Sequence, residues 1–110
     1  MSKWQNEDTQ VLFRALLSLK TEEEYRLFLE DVCTVKEITD MAQRLKVARL
    51  LRAKTSYALI NRETGISTAT ISRVSRSLNY GAGGYQTVLE RLDDVDAGDA
   101  PAAEGGADGE

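Results

Sequence analysis

The sequence predicts an all-α protein with six helices, and three observations lead to this fold class. Apolar residues recur at three- and four-residue spacing through most of residues 6–92. Hydroxyl side chains that can cap a helix stand directly before several of these apolar runs. No stretch shows the apolar–polar alternation of a half-buried strand. With 110 residues the chain is expected to form one domain over residues 1–92, followed by a tail.

The first three predicted helices fill the N-terminal half of the chain. The first covers residues 6–19. Thr21 caps the second, and three glutamates follow in its first turn, where the helix dipole favours acids. Thr34 begins the third helix, with Glu37 three residues later completing a capping box, and this helix extends to about residue 53.

The early helices are apolar on more than one side. Phe13 and Leu17 widen the apolar stripe of the first helix beyond a single face. A helix that is apolar around its circumference is expected to be buried on all sides, and the ordered part of the chain is too small to achieve this alone. We therefore expect a homodimer; a monomer with exposed leucines is the alternative.

Residues 56–79 have the outline of two helices joined by a sharp turn. A short helix is predicted over residues 56–63, and Gly65 follows it as the turn residue because glycine tolerates a positive φ. Either Ser67 or Thr68 can cap the next helix, predicted at about residues 67–79. This order is the helix-turn-helix outline, although Asn61 stands where the common pattern has a small residue.

The outward face of the second motif helix combines short hydroxyls, a methyl group and two guanidiniums, without an acid. These residues are Thr68, Ala69, Thr70, Ser72, Arg73 and Arg76. Such groups suit a DNA groove, where hydroxyls meet phosphates, a methyl group meets thymine and arginine meets guanine or phosphate. On spacing alone, an ordinary capped helix pair within a bundle remains the alternative.

The charge distribution favours a polyanionic partner. Residues 44–76 contain eight basic residues and one acid, a net charge of +7, although the whole chain has a net charge of −4. A cation surplus around a candidate reading helix is what nucleic acid requires. The alternative is a solvated basic face.

The C-terminal part contains a last short helix and an acidic tail. The helix is predicted at residues 85–92, after a glycine-rich stop. Residues 93–110 carry seven acids and no base, together with Gly, Ala and the single Pro. We expect this tail to be disordered, because it cannot bury enough apolar surface to offset its chain entropy. Its aspartates lack the ligand order of a calcium loop, so no metal site is expected.

Several protein classes are disfavoured by what the sequence lacks. It has no secretory signal and no apolar run of membrane length. Cys33 is the single cysteine, which agrees with a cytoplasmic protein without disulfides. The chain has no histidine and no phosphate-binding glycine loop followed by lysine, so we expect neither an enzyme nor a cofactor.

The segment Ala69–Leu78, with the following Asn79–Tyr85, resembles the Trp repressor family, and more closely the YerC/YecD group of TrpR-related proteins. The resemblance covers about residues 6–92. It implies an intertwined all-α homodimer whose two reading helices enter successive major grooves of double-stranded DNA. It also implies a bacterial transcriptional regulator, with repression as the expected effect. A protein-interaction bundle without DNA binding is the alternative.

The resemblance also assigns site residues. The family's DNA contacts fall here on Ser56, Tyr57, Ser67, Thr68, Ala69, Thr70 and Ser72, to which the charge argument adds Arg73 and Arg76. Its corepressor pocket falls on Thr34, Arg44, Arg73 and Ser77. The glycine that follows the second arginine in Trp repressor is Val74 here. Because a branched side chain fills that slot, free tryptophan is not expected as the corepressor.

Overall fold

The computed structural model describes residues 3–98, which form six α-helices and contain no strand. The helices are α1 (Glu7–Ser18), α2 (Glu22–Val32), α3 (Val35–Arg52), α4 (Tyr57–Thr64), α5 (Thr68–Tyr80) and α6 (Gly84–Gly98). The prediction of a six-helix all-α fold is confirmed.

The chain divides into two compact units, the first of which ends at Asp40. Its helix starts are fixed by side-chain caps. The Thr21 hydroxyl accepts a hydrogen bond from the Glu24 N–H at 3.1 Å, and the Thr34 hydroxyl accepts one from the Glu37 N–H at 3.0 Å. The Glu37 carboxylate in turn accepts from the Thr34 N–H at 2.8 Å, so the predicted capping box is present.

The first unit leaves its apolar side chains in contact with solvent. None of the described residues 3–40 is buried. Leu17 of α1 is 82% exposed, and Trp4 and Phe13 meet edge to face with ring centroids 6.0 Å apart while both remain exposed. Both α1 and α2 therefore carry apolar surface that the other described residues do not cover.

The second unit, which begins at Met41, contains the core. Its buried side chains come from four helices: Val47 and Ala48 of α3, Ile60 of α4, Ile71, Val74 and Leu78 of α5, and Leu89 of α6. Half-buried apolar residues pack around this cluster, Ile66 of the α4–α5 turn among them. The core thus holds α4 and α5 against the C-terminal half of α3 and against α6.

The last helix is longer than the sequence predicted. We expected it to end at Leu92, but α6 continues to Gly98, so residues 93–98 of the predicted disordered tail are helical. Part of the reason is an ion pair across the unit, in which the Arg52 guanidinium of α3 lies 3.1 Å from the Asp93 carboxylate of α6. The helix ends at a glycine, a weak helix former. The rest of the predicted tail, residues 99–110, lies outside the described residues.

Candidate nucleic-acid interface

The turn between α4 and α5 is built as its residue types predict. Gly65 has φ +77°, the left-handed region that favours glycine, and its N–H donates to the Asn61 carbonyl at 2.8 Å. Ser67 caps α5, its hydroxyl accepting from the Thr70 N–H at 3.2 Å. Of the two capping residues left open by the sequence, the structure therefore selects Ser67.

Asn61, the residue that departs from the common pattern, holds this turn together. Its side-chain amide donates to the carbonyl of Ile66 at 2.8 Å. The Thr64 hydroxyl adds a second link, donating to the Ile60 carbonyl at 2.6 Å and accepting from the Ile66 N–H at 3.1 Å. Side chains of α4 thus bind both polar groups of the Ile66 backbone and fix the start of α5.

The helix α5 has one buried side and one exposed side. Ile71, Val74 and Leu78 face the core. A group of exposed residues, which we call the α5 outer face, lies on the opposite side at helical spacing: Ala69, Ser72, Arg73, Arg76 and Tyr80. Among residues 3–93, whose side chains the structure describes, no ion pair involves either arginine of this face. Both guanidiniums remain available to a phosphate or a base edge.

Two of the predicted DNA contacts, Ser56 and Ser67, cap helices, and both are exposed. Ser56 caps α4 by accepting from the Leu59 N–H at 3.2 Å, while Ser67 donates to the Thr70 hydroxyl at 3.1 Å in addition to capping α5. Thr70 is half-buried. The other predicted contacts are exposed, namely Tyr57, Thr68, Ala69, Ser72, Arg73 and Arg76. The second unit carries all of these residues.

A second positive surface lies between α3 and α6. This cleft of about 540 Å³, which we call the basic cleft, is lined by Lys46, Arg49, Leu50, Arg52, Ala53, Leu89 and Asp93. Asp93 is the acid among these residues, and it pairs with Arg52. The cleft contains part of the +7 segment, and α3 leads from it directly to Ser56 and Tyr57.

Lys54 ends α3 in an unusual conformation. Its φ is +68°, and it is the one non-glycine residue with positive φ between residues 3 and 98. Its N–H donates to the Leu51 carbonyl at 2.9 Å, and the Thr55 N–H donates to the Leu50 carbonyl at 3.0 Å. These two bonds form a Schellman motif, in which glycine is the usual left-handed residue. A lysine here introduces backbone strain and places a cation beside the predicted contacts of α4.

Of the four residues predicted to form an effector pocket, Ser77 alone lines the cavity described here. Thr34 uses its hydroxyl to cap α3. Ser77 lines a cavity of about 400 Å³ with Leu45, Gly81, Ala82, Gly84, Tyr85 and Val88. Arg44 and Arg73 are exposed and are not among its lining residues. Val74 is 2% exposed within the core cluster, so its side chain is committed to packing.

Sequence reasoning missed three features of this surface. Tyr80 lies four residues after Arg76, so helical spacing alone places it on the α5 outer face. The Asn61–Ile66 hydrogen bond and the Asp93–Arg52 ion pair have no such signal in the sequence. Each depends on how the chain folds back beyond one helix, which residue spacing does not reveal.

Comparison with known proteins identifies the family. A model of the family described as "Trp repressor protein" matches residues 7–93. The chain belongs to the Trp repressor family. Bacillus subtilis (strain 168) contains a relative described as "Uncharacterized protein YerC", 47% identical over 96 residues, which cover 87% of this chain and 92% of that protein.

Two solved structures of relatives have the same fold. A TrpR-like protein from Eubacterium eligens ATCC 27750 superposes with a TM-score of 0.78 at 52% identity, covering 83% of this chain and 94% of that one. A putative Trp repressor from Staphylococcus aureus gives 0.77 at 44% identity, covering 83% and 91%. The resemblance seen in the sequence is confirmed. Within residues 3–98, no helix is both long enough and apolar enough to cross a membrane.

Proposed function

We propose that this chain is a homodimeric regulator of bacterial transcription, expected to repress, which reads the major groove of double-stranded DNA with α5. The observation that carries the proposal is the α5 outer face. It presents Ser72, Arg73 and Arg76 to solvent on a helix without acids, and the core fixes the helix from behind. The side chains that would meet phosphates and base edges are therefore exposed on a rigid support.

The charge of the second unit supports the same partner. The net charge of +7 over residues 44–76 belongs to the C-terminal part of α3, to α4 and to α5. Exchange of condensed counterions for protein cations supplies much of the affinity for DNA. The membership of the Trp repressor family supports a regulator rather than an enzyme. Such a regulator acts on the chromosome, so we place it in the cytoplasm.

The homodimer is supported by the exposed apolar surface of α1 and α2. Leu17, Leu27 and Val32 are each more than half exposed. Several large apolar side chains left exposed on neighbouring helices of the sequence are what an interaction site would provide. A protein-interaction bundle without DNA binding would use the same surface, and only a DNA-binding measurement separates the two functions.

The test is selection of bound sites from a random pool of duplex DNA, followed by gel shifts across a salt series. We expect enrichment of a palindromic site and an affinity that falls steeply with salt. Substituting both Arg73 and Arg76 with alanine should abolish the enrichment. A matched pair, Arg14→Ala with Arg26→Ala, removes the same charge from α1 and α2 and should preserve it. No retardation at about 50 mM salt, where phosphate contacts are strongest, would leave the interaction bundle as the function.

A further inference from the structure

The basic cleft has a lining that suits an anion of extended shape. Its lining includes three cations and one acid, with Leu50, Ala53 and Leu89 as apolar residues between them. Asp93 already lies in the cleft with its carboxylate against Arg52, although the Asp93 side chain is 62% exposed and Arg52 is 35% exposed. The Arg52–Asp93 ion pair is therefore an example of a carboxylate bound by a cation of this cleft.

We propose that the acidic C-terminal segment, residues 99–110, docks in the basic cleft and adds further carboxylate contacts to the one that Asp93 makes. The segment carries four acids, Asp99, Glu104, Asp108 and Glu110, and no base. Its charge is opposite to that of the cleft. The segment follows α6, whose residues Leu89 and Asp93 line the cleft. The occupant is thus part of the chain itself.

The distances allow this return. The helix continues five residues beyond Asp93 to Gly98, which corresponds to about 7.5 Å at 1.5 Å per residue. The chain after Gly98 advances by up to about 3.3–3.6 Å per residue when extended. Residues 99–103 can therefore span about 16 Å, enough to bring Glu104 back to the level of Asp93.

Tethering makes a weak contact effective. Individual ion pairs at a surface are weak and are screened by salt. A ligand joined by a short linker, however, reaches an effective concentration in the millimolar range. A segment that would bind as a free peptide with a Kd of about 1 mM would then occupy the cleft for about half of the time.

Docking would regulate DNA binding, and this consequence rests on the proposed function. Helix α3 continues from the cleft to Lys54 and on to the predicted contacts Ser56 and Tyr57. Phosphates near α4 and the acids of the segment would compete for Lys46, Arg49 and Arg52. Half occupancy by the segment weakens the apparent DNA affinity by about twofold.

The docking itself is tested without DNA, in the full chain. Cys33→Ser removes the native thiol, and Ala107→Cys carries a nitroxide spin label. At low salt we expect the label to broaden the amide resonances of residues 46–53, and about 0.5 M salt to abolish the effect. Unbroadened amides at low salt would overturn the proposal.

Two sets of variants identify the contact. Lys46→Gln with Arg49→Gln should abolish the broadening, whereas Arg14→Gln with Lys20→Gln removes the same charge outside the cleft and should retain it. A second variant leaves the cleft intact and neutralises the segment: Asp99→Asn, Glu104→Gln, Asp108→Asn and Glu110→Gln. It should also lose the broadening, so the test stands even if the cleft variant does not fold. Broadening that survives in either variant would contradict the proposed contact.

The regulatory consequence has its own measurement. The full-length variant with the neutralised segment should bind DNA about twofold more tightly than the unchanged chain at low salt. The two affinities should be equal at about 0.5 M salt. Equal affinities at low salt would refute the competition. Because the spin-label result requires no DNA, a failure to bind DNA would count against the proposed function alone.

Discussion

At the scale of single residues, the exposed position of Arg76 on α5 leads to a prediction about DNA binding. It lies on the α5 outer face, and it forms no ion pair with any side chain described in residues 3–93. We predict that Arg76→Ala weakens binding to every duplex and lowers the salt dependence of log K by about 1, the loss of one phosphate contact. Gel shifts across a salt series measure both effects. The control is Arg14→Ala, with the same charge change on α1; an unchanged slope for Arg76→Ala would exclude a backbone contact.

Val74 leads to the prediction that free L-tryptophan is not the effector. Its side chain is buried in the core beside Ile71 and Leu78, and a β-branched residue is stiff at χ1. Forcing additional volume into such a site costs about 1–3 kcal/mol, or roughly one to two powers of ten in affinity. Calorimetry should detect no binding, and gel shifts should be identical with and without tryptophan. A Kd below about 0.1 mM, with tighter DNA binding in its presence, would show that Val74 moves.

Lys54 combines backbone strain with a charge, and two substitutions separate them. Holding a non-glycine residue in the left-handed region costs about 1–2 kcal/mol. We predict that Lys54→Gly raises the free energy of unfolding by about 1 kcal/mol, while Lys54→Ala keeps the strain and does not. Both remove the cation and should weaken DNA binding equally. Urea unfolding and gel shifts provide the two readouts; undiminished DNA affinity in both variants would show that the charge is dispensable.

At the scale of elements, the α4–α5 turn depends on Gly65. A Cβ there would meet no atom within 4 Å, so the cost of a side chain comes from the backbone conformation at φ +77° alone. We predict that Gly65→Ala lowers the free energy of unfolding by about 1–2 kcal/mol. Gly84 is the matched control, since it begins α6, also has open space and has no positive φ. Urea unfolding should show a change within about 0.5 kcal/mol for Gly84→Ala. Equal losses in the two variants would contradict the argument.

The sequence predicts which segments are helical and where most helices begin, because these depend on nearby residues. It does not predict the contacts between helices. Thr21, Thr34 and Ser67 cap helices through bonds to residues three positions away, which a sequence displays directly. The sequence also displays the helical spacing of Ile71, Val74 and Leu78, which predicts one apolar face, and all three are buried. By contrast, the end of α6 involves Asp93 meeting Arg52, forty-one positions earlier in the chain. The composition of residues 93–98, with three acids and little apolar surface, predicts disorder, and it does not reveal the contact with Arg52.

At the scale of the whole molecule, apolar and positive surfaces occupy different parts of the sequence. Residues up to Asp40 carry exposed apolar helices and a surplus of acids. Residues from Met41 carry the core, the α5 outer face and the basic cleft. This separation suits a protein that associates through one part and meets a polyanion with the other. The acids of residues 1–40 and of residues 93–110 also explain why the whole chain has a net charge of −4 although residues 44–76 carry +7.

The last prediction concerns assembly. Light scattering at micromolar concentration should give about twice the chain mass of 12.2 kDa, because α1 and α2 expose apolar surface that water disfavours. Leu17→Glu places a carboxylate where the side chain is 82% exposed and should shift the mass toward the monomer. Tyr80→Glu makes a similar change at an 86% exposed site on α5 and should leave the mass unchanged.

Assembly also determines the geometry of the DNA site. A dimer with two-fold symmetry places its reading helices about 34–36 Å apart, one turn of DNA. Inserting about five base pairs, half of a helical turn, between the two halves of a selected site should therefore abolish cooperative binding. A folded monomer at micromolar concentration, or binding indifferent to that insertion, would refute both the dimer and the palindromic site.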